Sequence, residues 1–157
     1  ENEPIEKNLM VEKPRLFTST FFNWRELTTS IIQGLVITAG TLFVYKYAVQ
    51  QGSSEDVTRT MVFLTLISAN IFLTLVNRSF YYSVITTWKY KNNLVPLIII
   101  VTMVITALLL LLEPFQNLFQ FTNLSGWQIT LGISTGFLSV IWFEVVKYLK
   151  RRRLIEK

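Results

Sequence analysis

The chain has no cysteine and no histidine. The first absence excludes disulfides and thiol chemistry; the second removes the commonest general base and the commonest metal-binding side chain. Charge is also scarce. Only 16% of the 157 residues are Asp, Glu, Lys or Arg, 51% are hydrophobic, and mean hydropathy is positive. Neither GxxxxGK[ST] nor GxGxxG occurs, so no nucleotide-binding loop is encoded in this stretch. The opening Glu1-Asn2-Glu3-Pro4 has no methionine and no basic-then-apolar leader. We therefore expect no signal peptide and read the chain as a segment of a longer protein.

What is present is four long gaps between charges. They are Leu27 to Tyr45, Met61 to Val76 between Arg59 and Arg78, Leu94 to Leu112, and Gly126 to Phe143 continuing through Glu144 to Val146. Each is long enough, or nearly so, to cross hydrocarbon, which takes about 20 helical residues. Helix is the form expected, because in lipid every backbone N–H and C=O needs a partner within its own segment. The alternation of a membrane barrel strand is missing. Pro96 falls in the first turn of the third stretch, where its lost N–H costs nothing.

The formal net charge of +5 would suggest nucleic acid in a soluble protein. Here the basic residues flank apolar runs, so topology explains them and no nucleic-acid partner is expected. Lys7, Lys13, Arg15 and Arg25 precede the first run. Arg78, Lys89 and Lys91 lie between the second and third, and Lys147, Lys150, Arg151, Arg152, Arg153 and Lys157 close the chain. The opposite side has only Lys46 and Arg59, beside Glu55 and Asp56, and no basic residue from Glu113 to Ser125. Lys and Arg favour the cytoplasmic side. The expected fold is therefore an all-α integral membrane protein, with four transmembrane helices in two hairpins and both termini cytoplasmic, in the plasma or bacterial inner membrane. The expected organisation is a linker and interfacial segment over 1–26 and a four-helix module over 27–150, with spans near 27–49, 58–83, 93–112 and 126–147. A basic tail follows over 151–157. Phe17, Phe21, Phe22 and Trp24, then Phe80, Tyr81, Tyr82 and Trp88, and finally Trp127 suit the headgroup level. Asn77-Arg78-Ser79 and Asn123-Leu124-Ser125 match the glycosylation sequon, a pattern short enough to arise by chance.

Small and polar residues inside the runs mark faces that touch other protein. Gly34, Thr38 and Thr41 fall at i, i+4, i+7, as do Gly132, Gly136 and Ser139, with Gly132 and Gly136 forming a GxxxG pair suited to close helix packing. Asn70, Thr74 and Asn77 repeat that spacing in the second run, with Ser68 on an adjoining face. Two readings of these four stay open: hydrogen-bonding glue between helices, or oxygen donors along a cation path. No carboxylate lies in the core of any run. Glu113 sits at one end of the third, and Glu144, one turn from Lys147, is expected to pair with it. A divalent cation needs about six to eight oxygens with carboxylates among them, so these helices are expected to lend at most one or two donors.

Several local patterns, in order, resemble the C-terminal quarter of P-type cation-transporting ATPases of the calcium-pump-like branch. Met10-Val11-Glu12-Lys13-Pro14-Arg15 is similar to the linker leading into the seventh transmembrane helix of that family. Arg59-Thr60-Met61-Val62-Phe63 resembles the start of the eighth helix, and Asn77-Arg78-Ser79 its end. Glu113-Pro114-Phe115-Gln116, followed by Phe119-Gln120, resembles the loop between the ninth and tenth helices. Glu144-Val145-Val146-Lys147 resembles the end of the tenth.

The resemblance implies a support module of an ion pump. Its partners would be the lipid bilayer, the remaining transmembrane helices of the parent pump, and the transported cation. ATP and Mg would act in the parent, with no cofactor in this segment, which lacks the phosphorylated Asp-Lys-Thr-Gly and is not catalytic alone. In calcium pumps of the reticulum type the eighth helix supplies an acidic ligand. The register from Thr60-Met61 puts that position at Asn70, a metal-ligand candidate that keeps an oxygen and loses a charge. The other reading carried forward is a self-standing four-helix membrane protein with a structural or partner-binding role. A small channel is disfavoured by the lack of mid-membrane charge.

Overall fold

The computed structural model describes residues 24–77 and 94–155. The described residues form helices α1 (Trp24–Gln50), α2 (Glu55–Val76), α3 (Leu94–Leu111), α4 (Glu113–Phe119) and α5 (Gly126–Ile155), with no strand among them. Residues 1–23 of the expected linker, the aromatic group Phe80, Tyr81, Tyr82 and Trp88, and the basic residues Arg78, Lys89 and Lys91 lie outside the described residues.

Three helices contain stretches long and apolar enough to cross a membrane: Leu27–Gln50, Glu55–Val76 and Gly126–Leu149. A fourth span arises if Pro96–Leu111 and Glu113–Phe119 count as one, but they meet at an 82° bend. The all-helical membrane architecture read from the sequence is thus present, as three or four spans. The third apolar run is helical to Leu111, and the bend falls where the run ends.

Each break has a local cause. α1 ends in a left-handed glycine, Gly52 at φ 67°, with Ser53 N–H donating to Ala48 O at 3.1 Å and Gly52 N–H to Val49 O at 3.0 Å. This paired closure satisfies the last carbonyls of a helix. Ser54 then caps α2: its hydroxyl accepts from Val57 N–H at 3.4 Å, and Glu55 and Asp56 occupy the first turn, where negative charge suits the helix dipole.

α3 stops at Pro114, which has no N–H to give to the carbonyl four residues earlier. That carbonyl, Leu110 O, accepts instead from the side chain of Gln116. α4 lasts seven residues and closes on Gln120, left-handed at φ 54°. Ser125 and Gln128 cap α5 reciprocally: Ser125 N–H donates to Gln128 Oε1 at 2.8 Å and Gln128 N–H to Ser125 Oγ at 3.4 Å.

α1, α2 and α5 pack into a three-helix unit, with the α2–α5 seam the most extensive, and α3 lies beside α2 with fewer contacts. One apolar cluster, Ala69, Val76, Val140 and Phe143, fills the half of the bundle where α2 ends. A second, Val44, Ala48 and Met61, fills the half near the α1–α2 turn. The outward faces of α1 and α3 are apolar, with Leu35, Leu42 and Phe43 exposed on one and Leu97, Ile100 and Met103 on the other. Those faces suit lipid, and the chain is an integral membrane protein.

Candidate functional site: the polar residues of α2 and its neighbours

A hydroxyl in a membrane helix can satisfy itself on the carbonyl one turn earlier. Most do so here: Thr65 Oγ1 donates to Met61 O at 2.8 Å, Thr74 Oγ1 to Asn70 O at 2.9 Å, and Ser139 Oγ to Thr135 O at 2.8 Å. Amides and amines cannot be met so fully, and they show where helices must cooperate.

The four polar residues singled out on α2 face different surroundings. Ser68 is buried in the seam with α5, its Cβ lying where a side chain on Gly136 would begin. Asn70 and Thr74 are exposed, on the side of α2 turned away from that seam. Asn77 caps α2 and joins α1: Gln33 Nε2 donates to Asn77 Oδ1 at 2.9 Å, and Asn77 Nδ2 to Gln33 Oε1 at 3.1 Å. The face shared by Asn70, Thr74 and Asn77 in a helical projection is therefore closed by α1 at one end and open above it.

Beside Asn77 a lysine is buried. Lys147, with 2% of its surface exposed, reaches from α5 to the carbonyl of Val76 at the end of α2. It pairs with Glu144 one turn away at 3.0 Å, the pairing expected from their spacing, and lies 5.2 Å from the centre of the Phe143 ring. A cation belongs at the end of a helix, where unpaired carbonyls concentrate negative charge. The last turn of α2 is thus held from both sides, by an amide pair from α1 and an ammonium from α5. The sequence marks Asn77 by its spacing but does not mark Gln33, and it presents Lys147 as part of a basic flank and as Glu144's partner, not as a buried residue.

The small-residue stripes are also placed. Gly132 and Gly136 lie against α2, and Ser139 is buried in the seam with α1. A Cβ on Gly136 would fall 2.9 Å from Ala69 N, Ser68 Cβ and Thr65 O, so α2 and α5 touch there nearly backbone to backbone. On α1 the close approach is at Gly40, where an added Cβ would meet Ser139 Oγ. Gly34 has open space around it, Thr38 is exposed and bonded to Gly34 O at 2.9 Å, and Thr41 bonds to Ile37 O at 2.9 Å.

Among the described residues no three His, Cys, Asp or Glu side chains gather as a metal site. The only side chain of this group that offers an outward oxygen from the middle of a span, and records no side-chain bond of its own among the described residues, is Asn70.

The helices and their polar fastenings define an all-helical integral membrane module, and comparison with known families gives the particular one. The family model described as "Cation transporting ATPase, C-terminus" matches residues 1–149. The chain belongs to that family, the C-terminal transmembrane region of P-type ATPases. Its relatives include Calcium-transporting ATPase 1 of Schizosaccharomyces pombe, 24% identical over 96% of this chain and 17% of that protein. Calcium-transporting ATPase type 2C member 1 of Homo sapiens and of Pongo abelii are each 23% identical, over 96% of this chain and 16% of theirs. The chain thus spans about a sixth of the length of the relatives it matches.

Proposed function

We propose that the chain is the C-terminal membrane support module of a P-type ATPase that moves cations across a membrane at the expense of ATP. In this reading four helices cross in two hairpins, with α3 as the third crossing and both termini cytoplasmic. ATP and Mg act in parts of the parent that precede this segment, and the remaining transmembrane helices of the parent cover the open side of α2. The membrane is the plasma membrane or a bacterial inner membrane. Calcium is the cation favoured, because the relatives that match over 96% of the chain are named as calcium-transporting.

The observation that carries the reading is the family match over residues 1–149. The packing of the α1–α2–α5 unit adds to it: a support module should not flex, and this one is stitched by close backbone contact and by hydrogen bonds between helices. Within the module Asn70 lends a single oxygen to the cation path, with Thr74 one turn along the same open face. A single amide oxygen is far short of the six to eight donors a calcium ion takes, so the rest of the site belongs to the parent's other helices.

The test is cation-stimulated ATP hydrolysis by the full-length parent. Asn70→Ala should raise the cation concentration for half-maximal activity by about tenfold, the equivalent of about 1.4 kcal/mol of lost coordination. Asn70→Asp, which supplies a carboxylate, should lower it if the ion is divalent. Unchanged activity and unchanged half-maximal concentration in both variants would make Asn70 a packing residue and remove it from the ion path.

A further inference from the structure

We propose that α4 is a membrane-surface helix whose Phe115, Leu118 and Phe119 face lipid and seat the α3–α5 connection in the interfacial layer of the bilayer. The inference rests on the chain's being a membrane protein and is independent of the pump reading.

At 100° per residue the polar residues of α4, Glu113, Gln116 and Asn117, with Gln120 at its cap, fall on one half of the helix. Pro114, Phe115, Leu118 and Phe119 fall on the other. In water such a helix would turn the apolar half toward the protein and leave the polar half outside. Here part of the polar half turns inward instead. Gln116 reaches inward to Leu110 O and to Asn123 Oδ1, and Gln120 Oε1 accepts from Arg59 at 2.6 Å. In the apolar half Leu118 is 72% exposed and Phe115 39%, while Phe119, 46% exposed, stacks on Phe121 with ring centres 5.6 Å apart. A polar face fastened in part to the protein, beside an apolar face that the protein leaves largely uncovered, fits a surrounding medium that is itself apolar.

The placement agrees. α4 leaves the end of a membrane-crossing helix at 82°, which lays it close to the membrane plane. Its outward residues continue the exposed apolar surface of α3 through Leu108, Leu111 and Leu112. At the same end of the bundle the exposed Trp127 donates to Tyr47 Oη at 3.4 Å, a pair of ring-and-polar-tip side chains suited to the headgroup boundary. The loop is also pinned at one height: Thr122 N–H donates to Thr60 Oγ1 at 3.1 Å, and Phe121 packs on Phe63 with ring centres 4.8 Å apart. Glu113 and Asn117 remain exposed on the polar half, where headgroups and water meet them. Amphipathic helices in this position sink their apolar face about 5–10 Å into the headgroup boundary.

The absence of cysteine makes the test direct. A nitroxide is attached to Leu118→Cys, Phe115→Cys or Asn117→Cys in the intact chain, reconstituted in phosphatidylcholine vesicles. Its collisions with dissolved oxygen and with a water-soluble nickel chelate are then compared, with Leu138→Cys on the exposed face of α5 as the reference for lipid. Labels at 118 and 115 should collide more with oxygen than with the chelate, shifted toward the Leu138→Cys value. The label at 117 should show the reverse. Chelate-dominated collisions at both 118 and 115 would put the helix in water and overturn the proposal. Exclusion of both reagents from those two positions would overturn it equally, by showing that protein, such as a second copy of the chain, covers the face.

Discussion

Replacing Gly136 with alanine puts one methyl group where α2 and α5 touch. The new Cβ would lie 2.9 Å from Ala69 N, Ser68 Cβ and Thr65 O, and two of those three atoms are backbone, which no rotamer can move. Ordinary contact between such atoms begins at about 3.5 Å, so the helices must part by at least about 0.6 Å at this level. A gap of that size costs the neighbouring contacts a quarter to a half of their attraction, and the neighbours here include Gly132 against Leu64 and Thr65. Overpacking of this kind costs about 1–3 kcal/mol, a factor of about 5–150 in the folding equilibrium. Gly34 is the matched control, because a Cβ there meets nothing within 4 Å. Gly34→Ala should be neutral or stabilising by up to about 1 kcal/mol, since alanine is the better helix former. The assay is reversible unfolding in mixed micelles titrated with SDS, followed by tryptophan fluorescence and circular dichroism. Equal effects of the two substitutions, or a Gly136→Ala chain as stable as the parent, would show that the α2–α5 contact is not as close as described.

Two further substitutions probe the end of α2. Gln33→Leu and Asn77→Leu should each weaken the chain by about 1 kcal/mol in the same assay, and the double variant by much less than their sum, because the second change removes a partner already lost. Additive effects in that cycle would mean that the amide pair does not form. Lys147→Met should cost about 1–3 kcal/mol, because it leaves Val76 O without its donor and Glu144 without its counter-ion at 3.0 Å. Glu144→Gln in the Lys147→Met background should restore part of the loss by removing the unpaired charge, and no recovery would assign the damage to lost packing alone.

How much of this was legible beforehand depended on the kind of signal. The helices were legible because hydrocarbon forbids charge, and gaps in Lys, Arg, Asp and Glu are plain in the sequence. The end of α3 was legible, because the apolar run stops at Leu112; the 82° turn was not, since Pro114 says that the helix cannot continue but not where the chain goes next. The close approach of α5 to α2 at Gly136 could be suspected from GxxxG. Gly40 could not, because an apolar helix offers several small-residue stripes and only the neighbour decides which one is used. Gln33 and Lys147 were hidden for a related reason. A glutamine near a helix start and a lysine near a helix end read as interfacial residues, and their burial follows from α2 ending between them.

The inside of the three-helix unit holds nearly as many polar side chains as apolar ones. Gln33, Thr58, Thr60, Thr65, Ser68, Ser139 and Lys147 are buried, while Leu35, Leu42, Phe43, Leu66, Leu138 and Val145 are exposed. That distribution follows from the solvent. Between helices in lipid the hydrophobic effect supplies no net attraction, so association relies on close packing and on hydrogen bonds between segments. An outward amide runs against this logic, since a polar group left without a partner in hydrocarbon costs several kcal/mol. Thr74 avoids the cost by bonding to its own helix at 2.9 Å, but the Asn70 side chain does not share that bond. An exposed amide within an apolar stretch of α2 is economical only where something polar meets it. A neighbouring helix, a water-filled path or an ion would each suffice, and Asn70→Asp separates them. A carboxylate is welcome beside a divalent cation and costly against an apolar helix, so the sign of its effect on cation affinity decides what stands opposite α2.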